Sequence, residues 1–504
     1  MSASPGEEAA APNTSPETAP HSSPLAGSVD TVVLGAGIAG LCYAHALGAG
    51  ADVLVLDAAP RAGGLVRTEH AQLPAAHGGG ALHFEWGPEA LQDNAPETLA
   101  LLAELGLAAA PAAEAARRRF VLHEGRLVAL PMSPPAFLSS PLLTVGGKLR
   151  ALAEPFRDAR TALDGSVADF VRHRLGTQVL ERLVDPFVSG VYAGDPELLS
   201  LRAAFPLLAA FVAEHGSLFA GLRARGRAAR ARGEAPAVPS LVSLPGGLGA
   251  LPAALAGALG ARLRLGVRVT ALHAAALHGT TPHGTTPHGA APRGADVGDW
   301  RVVTAAGEVR ARRVVCALPV AAAARLLAPV SAALGGELGG MSCESVVSLV
   351  HAWRRRDAGH ALDGFGYLVP GRERRLHLGT LFSSSIQPAR CPPDVVLLRT
   401  LLGGARHARL VEWPDEELLA TLADDVAPVL GLHGEPLFTR IVRQRGALPR
   451  YDLRQPARQA QLDALLASLP GLALIGNHRR GISVNALIEA SRALARKHLA
   501  ARGD

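Results

Sequence analysis

The chain has 504 residues, of which 48% are hydrophobic and 19% are charged, and its formal net charge is +6. This is typical of a globular protein, and the length allows two or more domains with a sizeable core. Four cysteines lie far apart without metal-ligand spacing, which argues against a disulfide framework and indicates a reduced cytosolic protein. The basic balance is compatible with anionic partners such as acidic lipid or a polycarboxylate, and no nucleic acid partner is expected.

Residues 1–28 are rich in Ala, Pro, Ser, Thr and Glu, without a basic start or an apolar segment. They do not resemble a secretory signal, and we expect a disordered tail. No run of about eighteen uncharged apolar residues follows, which argues against a membrane span. We expect a cytoplasmic protein, and peripheral contact with the cytoplasmic membrane face stays open.

A dinucleotide-binding pattern comes next. Residues 31–34 predict a buried parallel strand, and the following turn reads G-x-G-x-x-G. In such a turn the first glycine permits the bend, the second admits a pyrophosphate, and the third lets the next helix pack closely. A second strand, 53–56, ends at Asp57, where an acid can bind a ribose hydroxyl. The predicted contacts are Gly35, Ala36, Gly37, Ile38, Ala39, Gly40 and Asp57.

The segment after this acid favours FAD over NAD. Residues 61–68 read R-A-G-G-L-V-R-T, which resembles the G-G-x-x-x-[ST] segment of flavoproteins of the amine oxidase and phytoene desaturase superfamily. The resemblance implies FAD, bound non-covalently because no Cys or His lies in a recognisable attachment motif; His478 is the nearest candidate. The contacts it implies are Ala58, Arg61, Gly63, Gly64 and Leu65. The Gly-Pro turn within residues 84–91 is either a simple turn or a further contact through Gly87, Pro88, Glu89 and Ala90.

Residues 95–107 predict an amphipathic helix, and residues 117–131 predict a hairpin that turns at Glu124-Gly125. Three arginines, at positions 117–119, lead into the hairpin. They form either a solvated basic edge or a carboxylate clamp, because guanidinium matches carboxylate geometry.

Two strings then resemble the family of oxygen-dependent protoporphyrinogen oxidases. They are the hairpin sequence of residues 120–131 and the run V-D-P-F-V-S-G-V-Y-A-G-D-P at 184–196. The resemblance implies that Arg119 binds a substrate propionate and that a helical domain covers the substrate and rests on a membrane face. Residues 140–215 indeed predict mainly helix. Arg223, Arg225, Arg227, Arg230 and Arg232 form a basic run that is either solvated, the favoured interpretation, or in contact with acidic lipid.

Residues 243–248 and a following helix resemble the family's return to the FAD domain. The predicted strand 263–271 carries Val269, whose backbone would meet the adenine by the same resemblance. His278, His283 and His288 lie in a Gly-, Thr- and Pro-rich near-repeat. We interpret it as a hairpin insertion rather than a metal site, because no carboxylate or Cys joins the histidines, and we expect no metal elsewhere. Strands 300–304 and 308–317 follow.

From residue 342 onward the pattern predicts a second sheet, with strands at 345–352, 364–369, 376–382, 395–402 and 437–443. Residues 364–370 resemble the family's G-F-G-x-L-V-P strand, which implies that Gly366 and Leu368 face the tetrapyrrole. A last strand, 472–475, is followed by a turn and a helix whose start would hold the flavin. The contacts implied there are Gly476, Ile482, Ser483 and Val484. Ala486, where many members carry Asp, and Arg479 with Arg480 depart from the family pattern.

The resemblance therefore implies an α/β fold with a Rossmann-type FAD-binding domain (29–90, 240–335 and 465–504). A helical, membrane-associating domain (91–239) and a mixed-sheet substrate domain (336–464) complete it. The implied reaction removes six electrons from protoporphyrinogen IX, with oxygen as acceptor and hydrogen peroxide as product. Other implied features are a homodimer and transfer of product to a ferrochelatase. The alternatives are coproporphyrinogen III as substrate, an amine or carotenoid oxidoreductase, and a flavin-binding protein without turnover.

Overall fold

A computed structural model describes residues 25–75, 78–158, 162–233, 240–274 and 299–501. Most of the predicted tail and the whole His-Gly-Thr insertion lie outside these residues. The tail was predicted to extend too far: Leu25 N–H donates to the Ala306 carbonyl at 2.8 Å, and the first strand begins at Ser28. Residues 25–28 thus belong to the folded sheet, because their backbone groups pair with it.

The strands, in chain order, are β1 (Ser28–Leu34), β2 (Val53–Leu56), β3 (Thr68–Gln72), β4 (Ala81–Glu85), β5 (Leu91–Gln92), β6 (Ala110–Pro111), β7 (Phe120–His123), β8 (Arg126–Ala129), β9 (Leu241–Ser243), β10 (Leu263–Arg264), β11 (Val269–Ala274), β12 (Trp300–Thr304), β13 (Gly307–Cys316), β14 (Cys343–Arg354), β15 (Gly366–Leu368), β16 (His377–Leu381), β17 (Val395–Gly403), β18 (Phe438–Pro449) and β19 (Leu472–Leu474).

The helices are α1 (Ile38–Ala46), α2 (Pro96–Glu104), α3 (Pro134–Ser139), α4 (Val145–Leu152), α5 (Val167–Arg174), α6 (Thr177–Val179), α7 (Asp185–Tyr192), α8 (Leu201–Ala204), α9 (Pro206–His215), α10 (Leu218–Ala231), α11 (Ala250–Leu259), α12 (Val320–Leu327), α13 (Ala332–Gly339), α14 (Ser383–Ile386), α15 (Asp415–Thr421), α16 (Ala427–Leu430), α17 (Gln455–Ala467) and α18 (Val484–Ala500).

The first sheet has the order β10-β2-β1-β13-β12-β11, with β19 also paired to β13. Its centre is parallel, since β1 pairs in parallel with β2 and β13. Side chains alternate between two cores: Val33 packs with α1, α11 and α18, whereas Val32 and Leu34 pack with α12, α13 and α17. A parallel strand covered by helices on both faces explains the continuous apolar run in the sequence.

The predicted single strand 263–271 is wrong, because the chain forms two strands there. β10 lies at one edge of the first sheet beside β2, and β11 lies at the other edge beside β12. Gly266, at φ +73°, lies between them, and the N–H of Val267 donates to the Asp57 carbonyl at 2.8 Å. This left-handed turn interrupts the strand, and glycine adopts it without steric cost.

The second sheet has the order β18-β14-β17-β16-β15-β7-β8 and is mixed, because β15 pairs with β7 in parallel and the other pairs are antiparallel. The predicted hairpin is confirmed as β7 and β8, but it extends this sheet rather than the helical domain. Similarly, α2 packs against α18 through Leu101 and Leu102. The segment 91–239 is therefore not one helical domain, since parts of it pack on each of the two sheets.

Helices α3 to α10 form a separate layer with its own apolar core. Ser166 and Asp169 cap α5 reciprocally, which satisfies free N–H groups at its start. The Arg174 guanidinium and the Glu154 carboxylate form a fully buried pair, and Glu154 also accepts the N–H of Leu218 at the start of α10. In the part of the chain that the structure describes, no helix is long and apolar enough to cross a membrane.

Candidate functional site

The three glycines of the β1–α1 turn are required for different structural reasons. A Cβ on Gly35, which has φ +105°, would lie 2.9 Å from the Ala317 carbonyl oxygen, and one on Gly40 would lie 2.0 Å from the Gly35 oxygen. A Cβ on Gly37 would meet nothing within 4 Å. Gly35 and Gly40 are therefore required by the fold, whereas Gly37 faces open space at the start of α1. That opening and the free N–H groups of the first turn, at Ile38 and Ala39, fit a pyrophosphate.

Asp57 lies beside this turn, as predicted. One carboxylate oxygen accepts the N–H of Ala36 at 2.6 Å and the other accepts the N–H of Ala59 at 2.7 Å. These bonds fix the side chain at the end of β2, and a carboxylate keeps lone pairs for a ribose hydroxyl. Val269 lies at the start of β11 opposite Thr304, and its contact with adenine stays a prediction.

The Arg61–Leu65 segment folds directly against the glycine turn. The N–H of Gly63 donates to the Ala36 carbonyl at 2.8 Å, and a Cβ on Gly64 would lie 3.3 Å from the Gly37 Cα. The Arg61 guanidinium donates to the Gly64 carbonyl at 3.0 Å, which closes the loop. Two segments that are separate in sequence thus form one backbone-lined surface, with Ala58 exposed at its edge.

The predicted contact strip around Gly87 continues that surface. A Cβ on Gly87 would lie 2.4 Å from the Leu65 carbonyl oxygen, so the strip, with Pro88 and Ala90, runs closely along the second segment. Asn485 of α18 donates to the Gln92 carbonyl at 2.9 Å and holds the other end. The carboxylate of Glu89 does not point to this surface but pairs with two buried arginines.

The last predicted segment brings a second helix start to the same place. Ser483 caps α18 by accepting the N–H of Ala486 at 3.2 Å, and Ile482 is half-buried beside it. Val484 is buried in the apolar core with α1, so only its backbone N–H is available to a cofactor. Gly476 has φ +141°, and a Cβ there would approach the buried His478 ring at 2.9 Å. Burial lowers the pKa of His478 to about 4.

Arg119, Gly366 and Leu368 lie on one face of the second sheet. β7 pairs with β15 in parallel so that Phe120 is opposite Tyr367. Because side chains alternate along a strand, Arg119 and Gly366, which precede this pair, and Leu368, which follows Tyr367, share the other face. A Cβ on Gly366, at φ +142°, would lie 2.2 Å from the Thr380 carbonyl oxygen, so packing alone requires this glycine. Whether the three residues contact a substrate stays a prediction.

Arg119 differs from the two arginines before it. The Arg118 guanidinium pairs with Asp363 at 2.6 Å, and that of Arg117 lies 3.9 Å from Glu114. The Arg119 side chain is half-buried and has no hydrogen-bond or ion-pair partner among the described residues, and its guanidinium lies 5.4 Å from the Phe365 ring centre. Burial lowers its pKa. A cation that is partly desolvated and unpaired is available to an external carboxylate.

The D-P-F-x-x-G-V-x-A-G-D-P run forms α7 and the turn after it. The Asp185 carboxylate accepts the N–H of Gly371 at 2.8 Å, which joins the helix to the turn after β15. A Cβ on Gly190 would lie 2.3 Å from the Leu368 Cδ2, so the glycine lets α7 pack closely against this side chain of the sheet. Ala193 ends the helix in the left-handed region at φ +48°. The run therefore docks the helical layer on the face that carries Arg119.

Sequence reasoning missed Arg390, in the turn after α14, and Arg399, in β17 of the second sheet, which together hold the Glu85–Glu89 strip. Arg399 lies in the otherwise apolar strand V-V-L-L-R-T-L-L, and that isolated charge was the available signal. No group of three or more His, Cys, Asp or Glu residues suited to a metal ion occurs in the described ranges. The four cysteines are free thiols, three of them buried.

The glycine turns and the two helix starts beside a mixed sheet are the features of a dinucleotide-binding protein. The sequence pattern of the family described as flavin containing amine oxidoreductase matches residues 38–496, and the chain belongs to that family. It is thus a flavin-dependent oxidoreductase, and a flavin bound at a dinucleotide turn is FAD.

Three relatives illustrate the family. The chain is 30% identical to a chloroplastic protoporphyrinogen oxidase of Oryza sativa subsp. japonica, over 92% of this chain and 86% of the relative. It is also 30% identical to a coproporphyrinogen III oxidase of Propionibacterium freudenreichii, over 92% and 89%. A crystal structure assigned to a protoporphyrinogen oxidase of Exiguobacterium sp. 255-15 shares the fold, with a TM-score of 0.72, 23% identity and coverage of 94% and 98%.

Proposed function

We propose that the chain oxidises a porphyrinogen, protoporphyrinogen IX in the first place, in porphyrin biosynthesis. The observation that carries this proposal is the unpaired, half-buried Arg119 on the sheet face that α7 covers. An anionic substrate would find its counter-charge there. The names of the curated relatives support the substrate class, and they include oxidases of both protoporphyrinogen and coproporphyrinogen.

FAD, when bound, supplies the hydride acceptor, and the chain supplies position and a dry cavity. Arg119 would hold a propionate and so orient the macrocycle along β15. The contact of Leu368 with α7 would exclude water from one side of the ring. Few acid–base groups are needed, because loss of a meso hydride begins to conjugate the macrocycle and the pyrrole N–H can release its proton to water.

Anaerobic mixing of the FAD-loaded protein with each porphyrinogen tests the proposal. We expect bleaching of the flavin absorbance with protoporphyrinogen IX, and slower bleaching with coproporphyrinogen III, which carries four propionates instead of two. Admission of oxygen should restore the flavin and produce hydrogen peroxide with porphyrin fluorescence. A yellow protein that neither substrate bleaches would not be a porphyrinogen oxidase.

Coproporphyrinogen III is the second candidate, because a coproporphyrinogen oxidase is as similar to the chain as the rice enzyme is. Faster bleaching by coproporphyrinogen at equal concentration would favour it. The same mixing experiment with an amine in place of the porphyrinogen tests the amine oxidase alternative. Dimerisation and transfer of product to a ferrochelatase stay predictions.

We further propose peripheral membrane contact through an apolar stripe, defined as Val145, Leu149, Leu152 and Phe156. These residues lie along α4 and the turn after it, and the side chains of Leu149 and Phe156 are 64% and 89% exposed. Contiguous exposed apolar side chains of this kind mark interaction surfaces. Vesicles with acidic lipid should retain the wild type more than a variant with both Leu149→Ser and Phe156→Ser. Leu453→Ser, at a leucine that is 53% exposed outside the helical layer, is the matched control.

A further inference from the structure

Four charged side chains are buried between the FAD-binding side and the second sheet, and we call them the Arg–Glu cluster: Glu85, Glu89, Arg390 and Arg399. Each is at most 7% exposed. Arg399 comes from β17 and Arg390 from the turn after α14, whereas the two glutamates flank the Gly-Pro turn. Buried charges require partners, and each of these has partners within the cluster.

The cluster holds the backbone of the Glu85–Glu89 strip as well as its side chains. One terminal nitrogen of Arg399 donates to the carbonyl oxygens of Glu85 and Gly87, at 2.9 and 2.7 Å. Arg390 donates to the Glu89 carbonyl at 3.0 Å. Gln444 of β18 donates to the Trp86 carbonyl, which lies between those of Glu85 and Gly87, at 2.6 Å. Side chains of the second sheet and its connecting turn therefore fix four carbonyls of one short strip.

This strip lies among the other segments that would contact the flavin. Its Gly87 packs on the Leu65 carbonyl, and Gln92, just after it, bonds to Asn485 at the start of α18. Glu85 also accepts the N–H of Leu248 at 2.8 Å, in the loop before α11. The strip thus forms part of the predicted cofactor surface. Side chains of the sheet that carries Arg119 bind the backbone of this strip.

We propose that Arg399 is a positioning residue that fixes the flavin-facing strip to the substrate sheet and so sets the distance between flavin and substrate. Arginine suits this role better than lysine, because one terminal nitrogen of its planar fork donates to two carbonyls while the other lies 3.2 Å from a Glu89 carboxylate oxygen. The proposal rests on the proposed function for its effect on the reaction, but its effect on the bound flavin does not depend on the substrate. Rates are sensitive to such placement, since a displacement of about 1 Å can cost on the order of a hundredfold.

The test uses charge-balanced variants of the FAD-loaded protein. Arg399→Met alone would leave two buried carboxylates with Arg390 as their one remaining cation in the cluster, so it is combined with Glu89→Gln. Arg174→Met with Glu154→Gln removes an equally buried pair from the helical layer and is the matched control. Measurements are the visible circular dichroism of the flavin, the dissociation constant for FAD and the limiting rate of anaerobic flavin reduction.

The Arg399 double variant should change the flavin dichroism, weaken FAD binding and slow flavin reduction at least tenfold at saturating substrate. Arg399→Lys, which keeps the charge but not the fork, should recover only part of the rate. The control should change the melting temperature alone. Wild-type dichroism and reduction rate in the double variant would overturn the proposal.

If the double variant does not fold, Gln444→Met decides instead, because it removes the Trp86 bond without any charge. It should alter the flavin dichroism in the same direction and by less, and an unaltered spectrum would refute positioning from this sheet. A wild type that no porphyrinogen reduces would contradict the proposed function, and the dichroism and FAD affinity would still decide the role of Arg399.

Discussion

Replacement of Arg119 by alanine should weaken substrate binding while FAD stays bound. The guanidinium is half-buried, has no hydrogen-bond or ion-pair partner among the described residues, and lies on the sheet face that we propose for the substrate. A charge-assisted bond to a propionate is worth about 1.5–3 kcal/mol, and each factor of ten in affinity corresponds to about 1.4 kcal/mol. Arg119→Ala should therefore raise KM roughly ten- to a hundred-fold. The limiting rate should fall less, because this interaction is made in both ground and transition states.

Arg117→Ala and Arg118→Ala are the controls, since both side chains are exposed and already have acidic neighbours. Exposed pairs contribute about 0–1 kcal/mol to stability, and neither change should move KM more than about twofold. Steady-state kinetics on the three single variants, with FAD occupancy measured in each, separate the outcomes. Equal and small effects at all three positions would show that Arg119 does not bind the substrate and would refute the reasoning from its missing partner.

Three further predictions concern the cofactor and the stability of the fold. Gly37→Val should fold but retain little FAD, because the added side chain would occupy the space that the pyrophosphate needs. Gly50→Val, where a Cβ also meets nothing within 4 Å, is the control and should bind FAD normally. Full flavin occupancy in Gly37→Val would place the pyrophosphate elsewhere. Acid precipitation should release all yellow colour into the supernatant, whereas colour in the pellet would indicate a covalent bond. Burial lowers the pKa of His351 to about 3. Below pH 6.5 the unfolded chain therefore binds the proton first, and acidification from pH 7 to 5 should lower the free energy of unfolding by about 2 kcal/mol through this group. Urea titrations should show a weaker pH dependence in His351→Gln, while the exposed control His433→Gln should match the wild type.

The hydrogen bonds around His351 also predict that acidification destabilises the folded protein. Trp353 donates its indole N–H to Nδ1 at 2.7 Å, so Nδ1 must be an acceptor, and Nε2 lies 3.0 Å from the Thr400 hydroxyl. Protonation of Nδ1 would break the bond from Trp353 at a ring that is fully buried. The folded protein therefore disfavours the charged ring through a lost hydrogen bond as well as through burial.

The sequence predicted the parts of the site that local geometry specifies. Glycines at fixed spacing require particular backbone angles, so the turn at Gly35–Gly40 and the acid Asp57 could be located without a structure. The break at Gly266 was missed because one glycine within an apolar run does not by itself indicate a change of sheet edge. Membership of the hairpin in the second sheet was missed because the Phe120–Tyr367 pairing joins residues far apart in the chain.

The partners of Glu89 could not be predicted for the same reason, although its position in a contact strip could. A carboxylate beside a Gly-Pro turn suggests a ligand contact, and only the fold shows that Arg390 and Arg399 already occupy it. Burial alone would raise the pKa of Glu89, but these two arginines outweigh it and hold the pKa below the usual value. For Glu85, burial dominates and raises the pKa to about 7.

Strand β17 carries two buried polar residues, Arg399 and Thr400, at the centre of an otherwise apolar sequence. Arg399 and Thr400 are adjacent, so they point to opposite faces: Arg399 holds the strip on the FAD side, and Thr400 bonds to His351 and Thr380 on the far side. Each is buried and would destabilise the sheet without its partners. Positions where a residue departs from the local sequence pattern are expected to be functional or strained sites. Arg119 and Arg399 lie on the same face of one continuous sheet, so under the proposed function this one sheet would position both the substrate and the strip that faces the flavin.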